Sequence, residues 1–171
     1  MTDNPPDPLA PVHVFNFEVS FFIDPLDSDQ EGSLNNPICS GAFSECTGLE
    51  ATMEPKVVKE GGRNYGAAQR VGPVTFATVI LRRGMTTNGD LWVWFNRVTQ
   101  GEYGYRLGAR IQIRDGAQSE PPVMEWKLTN VLPVKFKSAD MNAKATEVGI
   151  EELHLAHEGL SLVRRGDKSF E

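Results

Sequence analysis

The stretch from Phe43 to Gly62 constrains the fold of this chain more than any other. It begins with apolar residues alternating with polar ones, which is typical of a β-strand with one buried face. It then runs through Thr47-Gly48 into a charged segment, and the polar loop Arg63–Gly66 follows Gly61-Gly62. Strand-like patterning that ends in a loop without an apolar anchor does not close a core by itself. The pattern therefore predicts an arm that contacts something outside its own core.

Alternation of apolar and polar residues elsewhere predicts a mainly β protein. The odd-numbered face of residues 12–23 is expected to be buried, with His13 as a packed core histidine: His13, Phe15, Phe17, Val19, Phe21 and Ile23. A strand over 74–81 is apolar on both faces and is predicted to stop at Arg82-Arg83-Gly84. The last two strand regions are predicted over 123–136, broken or bulged at Pro133, and over 147–163, bulged near Glu151-Glu152.

A further strand is predicted over residues 106–114, where the period of two returns. Four apolar residues are predicted to point inward: Leu107, Ala109, Ile111 and Ile113. Four polar residues alternate with them and are predicted to point outward: Arg106, Arg110, Gln112 and Arg114.

One helix is predicted, over residues 87–99. Thr86-Thr87-Asn88 offers polar side chains for its N-terminus, and Asp90 adds a negative charge to its first turn. Four apolar residues recur at i, i+3, i+4 and i+7 and form the expected core stripe: Leu91, Trp94, Phe95 and Val98.

The 171 residues are most simply one domain. Prolines predict an extended N-terminal arm over 1–11, turn-forming and acidic residues predict a loop over 24–41, and residues 164–171 form a charged tail. The N-terminus lacks the pattern of a signal peptide and no apolar run reaches the length of a membrane span, so we expect no membrane anchor and production in the cytoplasm. Cys39 and Cys46 are expected to be reduced, half-buried thiols.

The formal net charge of −6 argues against a dedicated nucleic-acid binder, because phosphate contacts need a clustered basic face. The charge is unevenly spread: residues 1–60 carry eleven acids and two bases, whereas 61–114 carry two acids and eight bases. Blocks of opposite sign suit a chain that pairs with copies of itself, unless folding intermixes them.

The sequence offers little support for catalysis or for a cofactor. It lacks a phosphate-binding loop, a dinucleotide-binding fingerprint, a nucleophile elbow and a CxxC motif. His154 and His157 are spaced for a metal on a helix, but their flanks predict a strand, which directs the two rings to opposite faces. We therefore predict neither an enzyme, nor a metal site, nor a cofactor.

Several segments, in a conserved order along the chain, resemble the contractile-tail tube protein family of myophages and of extracellular contractile injection systems. They are FSECTGLE, KEGGRN, the strand end LRRGMT, the helix segment DLWVWF, and MEWKLTNVLPVKFKSADMNAKATEVGIEELHLAHEGL. The resemblance covers residues 12–163. It implies that these residues form a single tube-protein domain, with a long hairpin arm and its loop over 43–73.

The resemblance implies a β-sandwich or partial barrel flanked by one helix, which completes a continuous β-barrel in a hexameric ring. Rings would stack into an inner tube, and the partners would be other copies, a contractile sheath protein, baseplate or spike and tube-terminating proteins, and cargo effector or DNA in the lumen. The resemblance also implies that ten residues contact neighbouring subunits and rings: Glu54, Pro55, Lys56, Lys59, Glu60, Gly61, Gly62, Arg63, Asn64 and Tyr65. The outward face of residues 106–114 would line the lumen or pair with a neighbouring subunit.

The alternative is a monomeric β-sandwich binding module, for instance for carbohydrate. Such a module should present aromatic residues on its surface, whereas most aromatic residues here fall on faces that are predicted to be buried. A hydrolase is a third possibility, but the sequence lacks a recognisable set of acid, base or nucleophile residues.

Overall fold

The computed structural model describes residues 11–23, 39–41, 43–62, 64–114, 122–144 and 146–165. The predicted N-terminal arm up to residue 10, the acidic loop over 24–38 and the tail from residue 166 lie outside these residues. The described elements are β1 (Phe17–Ile23), β2 (Cys39–Gly41), β3 (Glu45–Thr47), β4 (Ala51–Met53), β5 (Lys56–Val58), β6 (Ala68–Arg70), β7 (Val74–Phe76), β8 (Val79–Gly84), α1 (Asp90–Thr99), β9 (Leu107–Ile113), β10 (Met124–Lys137), β11 (Ile150–Ala156) and β12 (Gly159–Arg164).

Eight of the described strands form two sheets that share β10, and β4–β7 form two separate two-stranded ladders. Sheet A has the order β2-β1-β9-β10-β12, and sheet B continues from β10 through β11 and β8 to β3. The first half of β10 belongs to sheet A and its second half to sheet B. This mainly β architecture with one helix confirms the predicted fold class.

The bend in β10 allows one strand to serve both sheets. Its pairing with β9 shifts register between Leu128 and Val131, and Asn130 lies between them with a φ of 52°. A second shift, between Pro133 and Lys135, interrupts the pairing with β11. The predicted irregularity at Pro133 is thus confirmed as a bulge, which is expected because proline cannot donate to a ladder.

The core lies between the inward faces of the two sheets and under α1. It includes Val19 and Phe21 of β1, the four predicted inward residues of β9, and Leu153 and Leu155 of β11. The Phe21 ring lies 5.1 Å from the Trp94 ring of the helix. Three residues of the helix stripe, Leu91, Trp94 and Val98, are buried, and Phe95 is partly buried.

The first strand is shorter than its alternation predicts. Pairing starts only at Phe17, where β1 meets Ile113 of β9. His13 and Phe15 precede the strand and are exposed, Phe15 by 82%. The prediction of a packed core histidine at position 13 is therefore wrong, because periodicity continues past the last residue that finds a partner strand.

Two other strand boundaries also differ from prediction. The segment 74–81 is split into β7 and β8, and the second strand includes Arg82-Arg83-Gly84 instead of stopping before them. The bulge predicted at Glu151-Glu152 is wrong, because β11 runs without interruption through both. The break lies instead at His157-Glu158, where the chain passes from sheet B to sheet A. No helix among the described residues is long and apolar enough to cross a membrane.

Candidate assembly surfaces

A two-stranded arm, residues 51–76, extends from one end of sheet B. Cys46 and Leu81 are paired at its base, Met53 pairs with Val74 further out, and Val57 pairs with Gln69 near the tip. These pairings form three successive antiparallel ladders, of which only the first belongs to sheet B. The hairpin therefore continues well beyond the core.

Close backbone contacts separate the three ladders. Gly48 has a φ of +87°, and a Cβ there would lie 2.1 Å from the carbonyl oxygen of Thr78. A Cβ on Gly72 would lie 2.0 Å from the carbonyl oxygen of Glu54. Only glycine allows the strands to approach this closely. Gly61 and Gly62 lie in the turn at the tip of the arm.

Most of the arm's side chains are exposed. Val57 is 61% exposed and Tyr65 is 99% exposed, and Met53, Val71 and Val74 are exposed as well. A shallow groove on one side is lined by Met53, Pro55, Gln69, Arg70 and Val71. A soluble monomer rarely keeps so many apolar side chains together in water, so this surface has the character of an interface.

The structure places nine of the ten predicted contact residues on the outer part of the arm, all of them exposed: Glu54, Pro55, Lys56, Lys59, Glu60, Gly61, Gly62, Asn64 and Tyr65. Arg63 lies outside the described residues.

The outward face of sheet A is polar. Arg110 and Gln112 of β9 lie opposite Lys127 and Glu125 of β10. The Gln112 amide donates to the Glu125 carboxylate at 2.6 Å, and the Arg110 Nε lies 3.4 Å from the same group. Arg110 also stacks on the Phe22 ring, 5.3 Å from its centre. Acids and bases therefore pair within the chain on this face.

Two other arginines of the predicted outward face differ in position. Arg114 donates to the Gln112 side chain at 3.0 Å and lies 3.4 Å from the Glu18 carboxylate, so it joins the polar face of sheet A. Arg106 instead lies at the corner between the sheets and forms an ion pair with Glu158. The amide of Asn130 also donates to Glu158, at 2.8 Å, and these two contacts lower the pKa of that carboxyl. The structure thus brings together three of the four predicted residues.

A ladder of alternating charge crosses the outward face of sheet B. Lys137 pairs with Glu152, which lies 3.1 Å from Arg82, and Arg82 lies 2.8 Å from Glu45 on the edge strand. Desolvation acts to raise the pKa of Glu152, but the hydrogen bond with His154 and the charge of Arg82 outweigh it, so the pKa is lowered. Cross-strand pairs of opposite charge stabilise the sheet modestly.

A buried ion-pair cluster holds the helix to sheet B. Arg83 is almost fully buried, and its guanidinium donates to Glu151 at 2.5 Å and to Asp90 at 2.6 Å. It also donates to the carbonyl of Asn88 at 3.2 Å. Burial opposes the charge of Arg83, but the hydrogen bonds to Asp90 and Glu151 outweigh it and raise the pKa. The prediction from sequence missed this cluster, because Arg83 was expected in a turn. The available signal was that Arg83 and Glu151 would both face inward if each of them lay on a strand.

The other residues considered for metal binding or redox chemistry, His154, His157 and Cys46, make contacts within the fold or are buried in it. His154 lies 3.5 Å from Glu152, and His157 contacts the carbonyl of Gly159 at 3.0 Å and the ring of Phe76. Within the described ranges, no group of three or more His, Cys, Asp or Glu residues could hold a metal ion. Burial raises the pKa of the Cys46 thiol to about 11, so it is protonated at neutral pH.

Within sheets A and B, as far as the structure describes them, three strands are paired on one side only. They are β2 and β12 at the two sides of sheet A, and β3 at the side of sheet B. An unpaired edge exposes a row of backbone N–H and C=O groups, and it readily pairs with another strand. Neither sheet closes on itself within one chain.

Comparison with known protein families gives one match. Residues 13–161 match the family described as T4-like virus tail tube protein gp19. A search of curated protein sequences found no match.

Three similar solved structures contain chains of the anti-feeding prophage or of an extracellular contractile injection system. A chain in the 6-fold symmetrised baseplate structure of the anti-feeding prophage is 25% identical, with a TM-score of 0.74 over 92% of this chain and 98% of that one. A chain in the extended sheath–tube complex of the extracellular contractile injection system PVC is 19% identical, with a TM-score of 0.72 over 90% and 92%. A chain in the anti-feeding prophage cap structure is 15% identical, with a TM-score of 0.73 over 91% and 92%. The last two likenesses concern the fold alone.

Neither the family nor these structures support the alternative of a carbohydrate-binding module. The family match spans far more than half of this chain. The chain therefore belongs to the T4-like virus tail tube protein gp19 family.

Proposed function

We propose that this tube protein assembles as six-fold rings that stack into the inner tube of a contractile machine. The observation that carries the proposal is the polar face of sheet A, bounded on both sides by open edge strands. A sheet with one apolar and one solvated face suits the wall of a water-filled channel. Pairing each edge with the next subunit would remove the exposed edges and close the ring.

The face that carries Arg110, Gln112 and Arg114 would then line the lumen. The in-chain pairs Arg110–Glu125 and Arg114–Glu18 favour this assignment over pairing with acidic groups of a neighbour, because the acids that these arginines need are already present. Counter-charges on the same wall keep its net charge low. Such a wall would let a highly charged cargo, whether DNA or an effector protein, slide without being held by a continuous field of one sign.

The similar structures suggest the partners. They are chains of a baseplate, a sheath–tube complex and a tube-terminating cap. By analogy, we propose that this chain contacts a sheath protein on its outer surface and different proteins at the two ends of the tube. Its role would be mechanical, and it would perform no chemistry on the cargo.

Electron microscopy of the purified full chain in negative stain tests the assembly. We expect rings with six-fold symmetry and a central hole, alone or stacked into tubes. A monodisperse monomer at high protein concentration, with and without co-produced baseplate proteins, would contradict the proposal.

Charge reversal tests the assignment of the lumen face. Arg110→Glu would place a second carboxylate beside that of Glu125, and we expect shorter tubes or reduced cargo loading. The matched control is the exchange Arg110→Glu with Glu125→Arg, which restores the pair with its sign inverted and should restore tube length. If Arg110→Glu alone changes neither tube length nor cargo loading, this face does not line the lumen.

A further inference from the structure

The sequence contains a single Asn-Gly step, Asn88-Gly89, in the loop that precedes α1. The backbone nitrogen of a residue that follows asparagine can attack the asparagine side-chain amide, and glycine hinders this attack least because it has no side chain. Both residues are exposed, and no atom lies within 4 Å of the Cβ position of Gly89. The amide of Asn88 is therefore open to this attack and to water.

The main-chain carbonyl of Asn88 contacts the arginine of the ion-pair cluster. Nη2 of Arg83 donates to this carbonyl at 3.2 Å and to the Asp90 carboxylate at 2.6 Å. When the Gly89 nitrogen loses its proton, resonance shares the negative charge with the Asn88 carbonyl oxygen. A hydrogen bond from a charged donor stabilises that oxygen, and water screens it little because Arg83 is only 4% exposed. Arg83 therefore favours the form of the nitrogen that attacks.

The charge of Asp90 opposes this effect, but it is largely compensated. Its carboxylate accepts hydrogen bonds from Arg83 and from the Leu91 N–H at 2.9 Å. The arginine thus remains the group in direct contact with the Asn88 carbonyl.

The side chain of Asn88 is held over the same peptide group. Its Oδ1 accepts a hydrogen bond from the Asp90 N–H at 3.2 Å. This bond closes a ring of atoms that includes the Gly89 nitrogen, so it keeps the side-chain amide close to that nitrogen. Attack places a negative charge on Oδ1, and a backbone N–H that already points at this oxygen stabilises the charge. Contacts of the folded chain therefore assist both the attacking and the attacked group.

We propose that the folded chain deamidates itself at Asn88. The Gly89 nitrogen loses its proton and bonds to Cγ of Asn88, and the side-chain nitrogen takes up a proton and leaves as ammonia. The product is a cyclic succinimide, which water then opens. Attack of water on Cγ gives aspartate at position 88, whereas attack on the main-chain carbonyl carbon gives isoaspartate. Water is the only co-reactant, and the reaction does not depend on the proposed assembly.

The modification weakens the attachment of the helix to sheet B. Each event adds a negative charge next to Asp90, where two carboxylates already share one arginine. The isoaspartate product also adds one carbon atom to the main chain, which displaces the carbonyl that accepts from Arg83. We therefore expect a lower melting temperature for the deamidated chain.

A second Asn-Gly step in the same chain provides a matched control. Asn142 is exposed, and its Oδ1 accepts from the Lys144 N–H at 3.0 Å, in the same way as Oδ1 of Asn88 accepts from Asp90. Its main-chain carbonyl accepts no hydrogen bond from the residues that the structure describes. Ala143→Gly therefore creates an Asn-Gly step with a similar side-chain contact but without the arginine.

The full-length Ala143→Gly chain is incubated in water labelled with a heavy oxygen isotope, both folded and in urea. Digestion and mass spectrometry then count the labelled carboxyl groups at positions 88 and 142. In the folded chain we expect deamidation about tenfold faster at Asn88 than at Asn142, and in urea we expect similar rates. Equal rates in the folded chain, or a tenfold ratio that persists in urea, would overturn the inference.

Gly89→Ala tests the effect on the helix. Gly89 has a φ of −87° and free space around its Cβ position, so alanine fits there, but its methyl group hinders the attack. After the same incubation, the melting temperature of the unmodified chain should fall, whereas that of Gly89→Ala should not. An equal fall in both chains, or no fall in an unmodified chain that mass spectrometry shows to be deamidated, would overturn this effect.

Discussion

The sandwich and the arm use the same residue types for opposite purposes. In the sandwich, apolar side chains are enclosed: Phe21, Leu153 and Leu155 have almost no exposed surface. In the arm, Met53, Val57 and Val74 lie on paired strands of similar composition, yet they remain open to water. A two-stranded ribbon has no second layer to cover it, and it is marginally stable alone. The sandwich therefore folds on its own contacts, whereas the arm would gain a cover only from the contacts with other copies that we propose.

The largest expected difference concerns equivalent truncations in the two regions. Phe21→Ala removes a fully buried ring that packs on Trp94, and we expect a loss of about 3–5 kcal/mol in the free energy of unfolding. Val57→Ala in the arm should change it by less than about 0.5 kcal/mol. Urea denaturation of the dissociated chain measures both. Equal effects would mean that the arm belongs to the same cooperative unit as the sandwich.

The ion-pair cluster under the helix should show the next largest effect. Arg83→Leu leaves the carboxylates of Glu151 and Asp90 without their partner, and we expect a loss of about 3 kcal/mol. Combining it with Glu151→Leu and Asp90→Leu removes all three charges and should recover much of that loss. Thermal unfolding of the single and triple variants checks this. A triple variant no more stable than the single one would show that packing, not charge, explains the effect.

Backbone contact at the arm's base should matter less than the core. Gly48→Ala forces a side chain into a left-handed conformation against the Thr78 carbonyl, at a cost of about 1–3 kcal/mol. Gly61→Ala is the matched control, because no atom lies within 4 Å of its Cβ position, and it should cost less than about 0.5 kcal/mol. Hydrogen exchange of the β4–β7 ladder would report local opening in the first variant only. Similar protection in both would contradict a close backbone contact at Gly48 that requires glycine.

The smallest effect is expected at the corner between the sheets. The hydrogen bond from Asn130 and the charge of Arg106 lower the pKa of Glu158 below 4.5, so its ionised form stabilises the folded state. That contribution is present above the unfolded pKa and is lost as the pH falls through the lower, folded value. Between about pH 6 and about pH 3, the unmodified chain should therefore lose slightly more thermal stability than Glu158→Gln. An identical pH dependence of the melting temperature in both would contradict this role.

Periodicity in the sequence predicted the parts of the molecule that depend on local pattern. The alternation in β9 and three of the four stripe residues on α1 correspond to buried residues, because each element packs one face against a single core. Pro133 marked a bulge for an equally local reason, since it cannot donate a hydrogen bond.

Features that depend on distant parts of the chain could not be predicted in this way. His13 and Phe15 continue the pattern of β1, but no strand reaches them, so they stay exposed. Arg83 is buried only because Glu151, 68 residues away, faces it across two paired strands. Met85, Trp92 and Val148 likewise come from separate segments and lie exposed at the far end of sheet B. No single stretch of sequence predicts an apolar surface there.

Removal of the arm tests most directly whether the sandwich determines the stability of the chain and the arm determines its assembly. A chain in which residues 54–70 are replaced by a two-residue Asn-Gly turn keeps the sandwich and loses the outer part of the arm. We predict that the dissociated variant unfolds at the same urea concentration as the unmodified chain, while micrographs of it contain no tubes. Tubes of normal length from the truncated chain, or a truncated chain that no longer folds, would contradict the account.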